Sequence, residues 1–263
     1  MPNDGWARTG ARRRLLLLSN SRDAQGRFLV HARAALEEAL SGVARAVFVP
    51  FAAVTVPLDA YAERAGDVFA SIGVAVESLH RSPDPAATVR AADAIIVGGG
   101  NTFQLLRRLT DLGVLDALRE RALSGVPYVG WSAGTVLACP TIQTTNDMPI
   151  VEPPRLTALG LVPFQINAHY TDAHPPEHQG ETRAERIAEF LVLNPGVPVL
   201  GLREGSGLRV TGISMELVGE TGGGARLFRH GRDATDYSAG ADLSPLLEAD
   251  PARETRSMTP TWR

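Results

Sequence analysis

Gly130-Trp131-Ser132-Ala133-Gly134 is the stretch of this chain whose residue types and spacing could do covalent chemistry. The β-branched and aromatic run Val126–Val129 precedes it, and Thr135–Cys139 forms a short helical segment before Pro140 stops it. Strand, glycine-flanked serine and helix together make a nucleophile elbow. The glycines let the backbone turn sharply, so the serine side chain stands clear, and the helix N-terminus offers free N–H groups to a developing oxyanion. A serine hydroxyl also needs a base, and imidazole is the usual one at neutral pH. Among the six histidines, His31 and His80 read as surface residues, whereas His169 closes an apolar run, as a residue at the mouth of a sheet would. His230, late in the chain beside Asp233 and Asp236, competes with it, but its flanks read as a frayed tail, a poor platform for tight geometry. His169 is therefore the expected base. Two carboxylates could orient it: Asp147, after Thr144-Thr145-Asn146, and Glu204, after Val197–Leu202. Spacing alone leaves both open.

Two further clusters carry chemistry-bearing residue types. Gly98-Gly99-Gly100 fits neither G-x-G-x-x-G nor G-x-x-x-x-G-K-[ST], which argues against a phosphate cradle. Its other functional reading is an oxyanion site, with glycine backbone approaching a carbonyl from the side opposite Ala133 N–H. His169, Asp172, His174, Glu177 and His178 have the chemistry of metal ligands, but they fall in a proline-rich segment, not at i, i+4 on one helix, and no cysteine joins them. No metal and no cofactor is expected.

These residues need a scaffold that brings them to one edge. Short apolar runs at 15–18, 43–50, 74–79, 94–97 and 126–129 alternate with helical patterns at 28–40, 58–72, 86–92, 103–109 and 114–123. Strands apolar throughout, alternating with helices, predict a doubly wound, mostly parallel α/β sheet covered on both faces. Ligands of such sheets bind beyond the C-terminal strand ends, where Ser19–Ser21, Gly98–Asn101 and Ser132 would all lie. The second half predicts a strand at 159–166 that delivers His169 and a helix at 182–193. Short strands follow at 197–202, 207–210, 216–219 and 225–230, the last forming an antiparallel extension. A disordered lead-in over 1–13, one domain over 14–231 and a flexible tail over 232–263 complete the expected organisation.

Composition narrows the class. The 263 residues are 44% hydrophobic and 21% charged, and the formal net charge of −3 suggests neither a nucleic-acid nor a membrane partner. The apolar run Leu15–Leu18 is broken at once by Ser19-Asn20-Ser21-Arg22-Asp23, too soon for a signal sequence or a membrane span. The single cysteine, Cys139, excludes an intrachain disulfide and suits a cytoplasmic setting.

At this point the residues resemble a known family. Gly130–Gly134, continuing through Ala138-Cys139-Pro140-Thr141-Ile142 to Thr144-Thr145-Asn146-Asp147-Met148-Pro149-Ile150, is similar to peptidase E, the α-aspartyl dipeptidase family of serine peptidases. Ala94–Leu106 (AIIVGGGNTFQLL), Gln165–Tyr170 (QINAHY), Gly180–Ile187 (GETRAERI) and Leu202–Gly205 (LREG) match further blocks in the same order. The resemblance runs from about Leu15 to about His230. It implies a fold like that of class I glutamine amidotransferases, a homodimer, and release of N-terminal aspartate from small acidic dipeptides. By the same resemblance Ser132 is the nucleophile, His169 the base and Asp147 the orienting acid, with Glu204 as the alternative or supporting carboxylate. Gly100 and Ala133 N–H would form the oxyanion hole. Arg183 would bind the substrate's aspartate side chain, with Gly99 and Asn101 as further substrate contacts. Thr135-Val136-Leu137 departs from the small and polar residues expected after the elbow. Cyanophycin-degrading relatives share the elbow but not the TTNDMPI or GETR blocks, so a cyanophycinase-like hydrolase is the alternative within the fold. A non-catalytic binder of acidic peptides is the alternative from another class.

Overall fold

The computed structural model describes residues 12–173, 179–219 and 223–248. Five apolar runs form parallel strands, β1 (Arg14–Leu18), β2 (Arg45–Val49), β3 (Ala75–Ser78), β4 (Ile95–Val97) and β5 (Tyr128–Trp131), in the order β3-β2-β4-β5-β1. Between them run α1 (Arg33–Ala39), α2 (Leu58–Ala70), α3 (Pro85–Ala91), α4 (Thr102–Asp111) and α5 (Leu115–Leu123). The alternation of side chains along a strand explains why the inner strands are apolar on both faces, whereas the edge strand β3 exposes Ala75 and Glu77. Leu15, Leu17, Val47, Val49 and Ile95 enter one core; Leu16, Leu18, Phe48, Ile96 and Trp131 enter another on the opposite face. Each fully buried side chain of this size contributes roughly 1.5–3 kcal/mol relative to exposure.

Beyond β1 the sheet continues antiparallel through β8 (Ser206–Thr211) and β9 (Ser214–Gly219). A second sheet, absent from the sequence reading, has the order β11-β10-β7-β6. Its strands are β6 (Gln165–Tyr170), β7 (Val199–Arg203), β10 (Ala225–Phe228) and β11 (Thr235–Tyr237). β6 and β7 are parallel, joined through α7 (Arg183–Leu193), and the other pairs are antiparallel. Ile166, Leu200, Leu202 and Leu227 of this sheet belong to the same core as Leu15 and Val97, so the two sheets share it. Among the described residues no helix is long and apolar enough to cross a membrane.

Three expectations need correction. The strand expected over 159–166 begins only at Gln165. The preceding apolar residues run as a buried loop whose N–H groups are taken by the end of the post-elbow helix, Leu159 N–H by Leu137 O and Leu161 N–H by Ala138 O. The flexible tail expected from 232 instead supplies β11 and buries Leu243, Leu246 and Leu247, apolar residues spaced too sparsely to register as an element; residues 249–263 lie outside the described residues. Residues 1–11 of the lead-in also lie outside them, but Arg13 is buried and donates to Leu161 O at 2.9 Å.

Candidate active site

The elbow combines contacts a few residues apart with a close fit against the neighbouring strands β1 and β4. Ser132 follows β5 directly and stands before the short helix α6 (Ala133–Leu137), with φ 51° and ψ −113°. A non-glycine residue with positive φ is strained, and such strain persists only where the surroundings over-determine it. Here they do: Ser132 N–H donates to Leu18 O at 3.1 Å, and the Thr135 hydroxyl donates to Leu18 O and Gly130 O. The flanking glycines allow close approach. A Cβ at Gly134 would stand 2.3 Å from Val97 O, and one at Gly130 2.6 Å from Gly134 O.

His169 reaches the serine by a different device. Its strand β6 shifts register against β7 between Ala168 and Tyr170, so His169 is the extra residue of a bulge and has φ 55°. The bulge aims the ring at the elbow: His169 Nε2 lies 3.0 Å from Ser132 Oγ, and Nδ1 lies 2.7 Å from Glu204 Oε1. Ser19, at the end of β1 and fully buried, holds the bulge. Its hydroxyl accepts the His169 N–H at 2.9 Å and donates to Leu202 O at 2.7 Å. Next to it, Asn20 Oδ1 accepts the N–H of Gly205, which fixes the turn carrying Glu204. Ser19 and Asn20 were legible only as a polar turn at a strand end, and no feature of their spacing marks this role.

Asp147 lines the same site but its carboxylate is engaged away from His169. Its Oδ2 accepts from Thr102 N–H at 2.7 Å, from the Thr102 hydroxyl at 2.5 Å and from the Thr145 hydroxyl at 3.0 Å. The carboxylate thus sits on the N-terminus of α4, where an anion is favoured by the helix dipole, while Glu204 takes the imidazole. The loop bearing Asp147 is stitched along β6, with the Thr144 hydroxyl donating to Ile166 O and Asn146 Nδ2 to Ala168 O. Asn101, expected to touch substrate, has its side chain engaged on both sides: Oδ1 caps Gln104 N–H and Nδ2 donates to Met148 O at 2.8 Å.

A cleft of about 680 Å³ opens over Ser132 and His169, lined also by Gly99, Gly100 and Asp147. Gly100 has φ 140°, and a Cβ there would lie 2.2 Å from Ala52 O, so only glycine lets the loop pass. Ala133 occupies the first position of α6, where a backbone N–H has no intrahelical acceptor. Arg183 occupies the first position of α7, directly after a capping box made by Thr182 and Glu185. Burial and Arg186 pull the Arg183 pKa down from its ordinary value, and Asp147 pulls it back up, so the two groups lie within each other's field. A cation at a helix N-terminus opposes the dipole, a cost that a neighbouring anion offsets.

Behind His169 and Glu204, their chain neighbours join a charged cluster. Arg203 donates to Asp172 at 2.8 Å and to Asp236 of β11 at 2.6 Å; Arg226 donates to both carboxylates, and the Tyr170 hydroxyl donates to Asp172 at 3.0 Å. Arg226 and Arg203 hold the Asp236 carboxyl down at about 2. Of the metal-ligand cluster weighed in the sequence, His169 and Asp172 are engaged as described, and His174, Glu177 and His178 lie outside the described residues. His230 follows β10. Burial pushes the Cys139 thiol up to about 12, and its sulfur accepts Ile166 N–H.

Known proteins are similar to this chain over most of its length. The family model for peptidase family S51 matches residues 15–218. Peptidase E of Streptomyces coelicolor is 49% identical over 235 residues, 89% of this chain and 95% of that protein. Peptidase E of Salmonella typhimurium is 46% identical over 226 residues, 86% of this chain and 98% of that protein. The crystal structure of a peptidase from an acI-B1 actinobacterium superposes with a TM-score of 0.64 at 15% identity, covering 88% of this chain and 96% of that one, which shows the fold. The chain belongs to peptidase family S51, as a serine peptidase.

Proposed function

We propose that this serine peptidase is a dipeptidase that releases N-terminal aspartate from Asp-Xaa, with Ser132 as nucleophile, His169 as general base and Glu204 as the carboxylate that orients the base. The observation that carries the reading is the unbroken chain Glu204–His169–Ser132, at 2.7 and 3.0 Å, on a strained elbow. His169 Nε2 takes the Ser132 proton as Oγ attacks the aspartyl carbonyl, and the oxyanion is met by the N–H groups of Ala133 and Gly100. Collapse breaks the C–N bond while His169 protonates the leaving amine. Water, deprotonated by His169, then attacks the aspartyl ester, and the protonated His169 passes that proton to the departing Ser132 Oγ.

The β-carboxylate of the substrate is assigned to Arg183, whose planar fork suits bidentate binding. Its place against the helix dipole, within the field of Asp147, supports this. Asp147, the orienting acid of the resemblance, is assigned instead to positioning α4 and balancing Arg183. We also infer a relation to the class I glutamine amidotransferase fold, with Ser132 in place of the cysteine, which superposing the two elbows tests.

The activity is tested by giving Asp-Leu, Glu-Leu and Ala-Leu to the wild type and to Ser132→Ala. Asp-Leu should be cleaved far faster than the others, and the variant should lose roughly 10⁴–10⁶ in rate. Equal cleavage of all three, or undiminished turnover in the variant, would sink the reading; binding without product would favour a non-catalytic acidic-peptide binder.

A further inference from the structure

The cleft over Ser132 has a cationic end of its own, apart from Arg183. Its lining includes Arg22 and Arg64, but not Arg183. A short hairpin presents Arg22: the residue bridges to Phe28, its guanidinium donates to Gly26 O at 2.7 Å, and Asp23 inside the turn accepts Gln25 and Arg27 N–H. Arg64 stands three residues after Tyr61 on α2, and that spacing puts both on one helix face. Arg22, Tyr61 and Arg64 line the same cleft; burial pushes the Tyr61 phenol up to about 12, and the charges of Arg64 and Arg22 pull against it. Among the described residues neither guanidinium is paired with a carboxylate. Apolar side chains in the same lining are Phe28, Val54, Val56 and Ile150, beside the polar Ser21 and Thr55. Phe28 is braced edge-on against Tyr61 and Trp131.

We infer that Arg22 and Arg64 bind the free C-terminal carboxylate of the leaving residue, that the apolar wall takes its side chain, and that this pair thereby limits the substrate to two residues. The inference rests on the dipeptidase reading above and adds the half of the substrate that reading leaves unassigned. An Asp-Xaa dipeptide carries two carboxylates and one ammonium at neutral pH, so its site needs cations at two separate places. Arg183 meets the side-chain carboxylate, and Arg22 with Arg64 meets the terminal one. A third residue would set a neutral peptide group against the two arginines and carry the terminal charge past them.

The test measures kcat and KM for Asp-Leu, Asp-leucinamide and Asp-Leu-Gly with the wild type, Arg22→Gln/Arg64→Gln and Arg22→Lys/Arg64→Lys. The wild type should favour Asp-Leu over the other two by roughly 10–100-fold, mainly through KM, the range expected for charge-assisted hydrogen bonds. The glutamine variant should lose about that factor on Asp-Leu and far less on Asp-leucinamide, and the lysine variant should keep most of the preference. Equal use of Asp-Leu and Asp-leucinamide by the wild type would overturn the inference while leaving the aspartate preference intact. An equal loss on both substrates in the glutamine variant would also overturn it, and no cleavage of any of the three would overturn both readings.

Discussion

The elbow and the bulge meet at one hydrogen bond, yet they are built in opposite ways. Around Ser132 much of the geometry comes from residues within five positions: Gly130, Gly134 and Thr135, with Leu18 and Val97 of the neighbouring strands closing the fit. Around His169 nothing essential is local. The bulge is held by Ser19, 150 residues away, and the ring by Glu204, 35 residues away. The elbow is a local conformational device placed on a sheet; the bulge is a junction between two sheets. The first therefore depends on backbone fit and the second on a few side-chain hydrogen bonds, which are more easily removed one at a time.

The sharpest way to test that contrast is to set the two carboxylates against each other. Glu204→Gln should lower kcat by roughly 10²–10³, below the ~10⁴ seen when a buried triad aspartate is made neutral, because the Glu204 side chain is 65% exposed and water partly replaces it. Asp147→Asn should leave the pH profile of kcat in place and act on KM through Arg183. If instead Asp147→Asn caused the larger loss in kcat, the assignment of the orienting carboxylate would be reversed.

Next in size is Ser19→Ala. It leaves the His169 N–H and Leu202 O without their buried partner, which should cost about 1–3 kcal/mol, read as a lower denaturant midpoint at unchanged slope. Turnover should fall with it as the bulge relaxes. An unchanged midpoint and rate would show that the backbone alone holds His169, making the bulge as self-sufficient as the elbow.

The smallest effect lies behind the site, in the cluster that ties β11 to the strands bearing His169 and Glu204. Asp236 has its carboxyl lowered from 3.8 to about 2 by Arg226 and Arg203, so its contribution is fully present above pH about 4 and is lost as pH falls toward 2. Because the carboxylate is half exposed, solvent screening keeps that contribution below about 1 kcal/mol. Melting curves between pH 5 and 2 should fall slightly more steeply for the wild type than for Asp236→Asn, and identical slopes would remove the cluster from the account.

Residue periodicity alone determines much of this protein. The five parallel strands, their helices and the elbow are legible because strand alternation, helical spacing and glycine flanking are short-range properties that a linear sequence displays directly. His169 stood out for the same reason, as a polar residue ending an apolar run. The second sheet, the bulge, the clamp by Ser19 and Asn20 and the place of Asp147 were not legible. Each depends on which distant backbone groups arrive beside it, and a carboxylate 15 or 72 residues from the serine looks the same in sequence whether it meets an imidazole or a helix N-terminus. Tertiary structure made that choice: β6 pairs with β7 one residue out of step, which turns His169 toward Ser132 and brings Glu204, at the end of β7, to its ring.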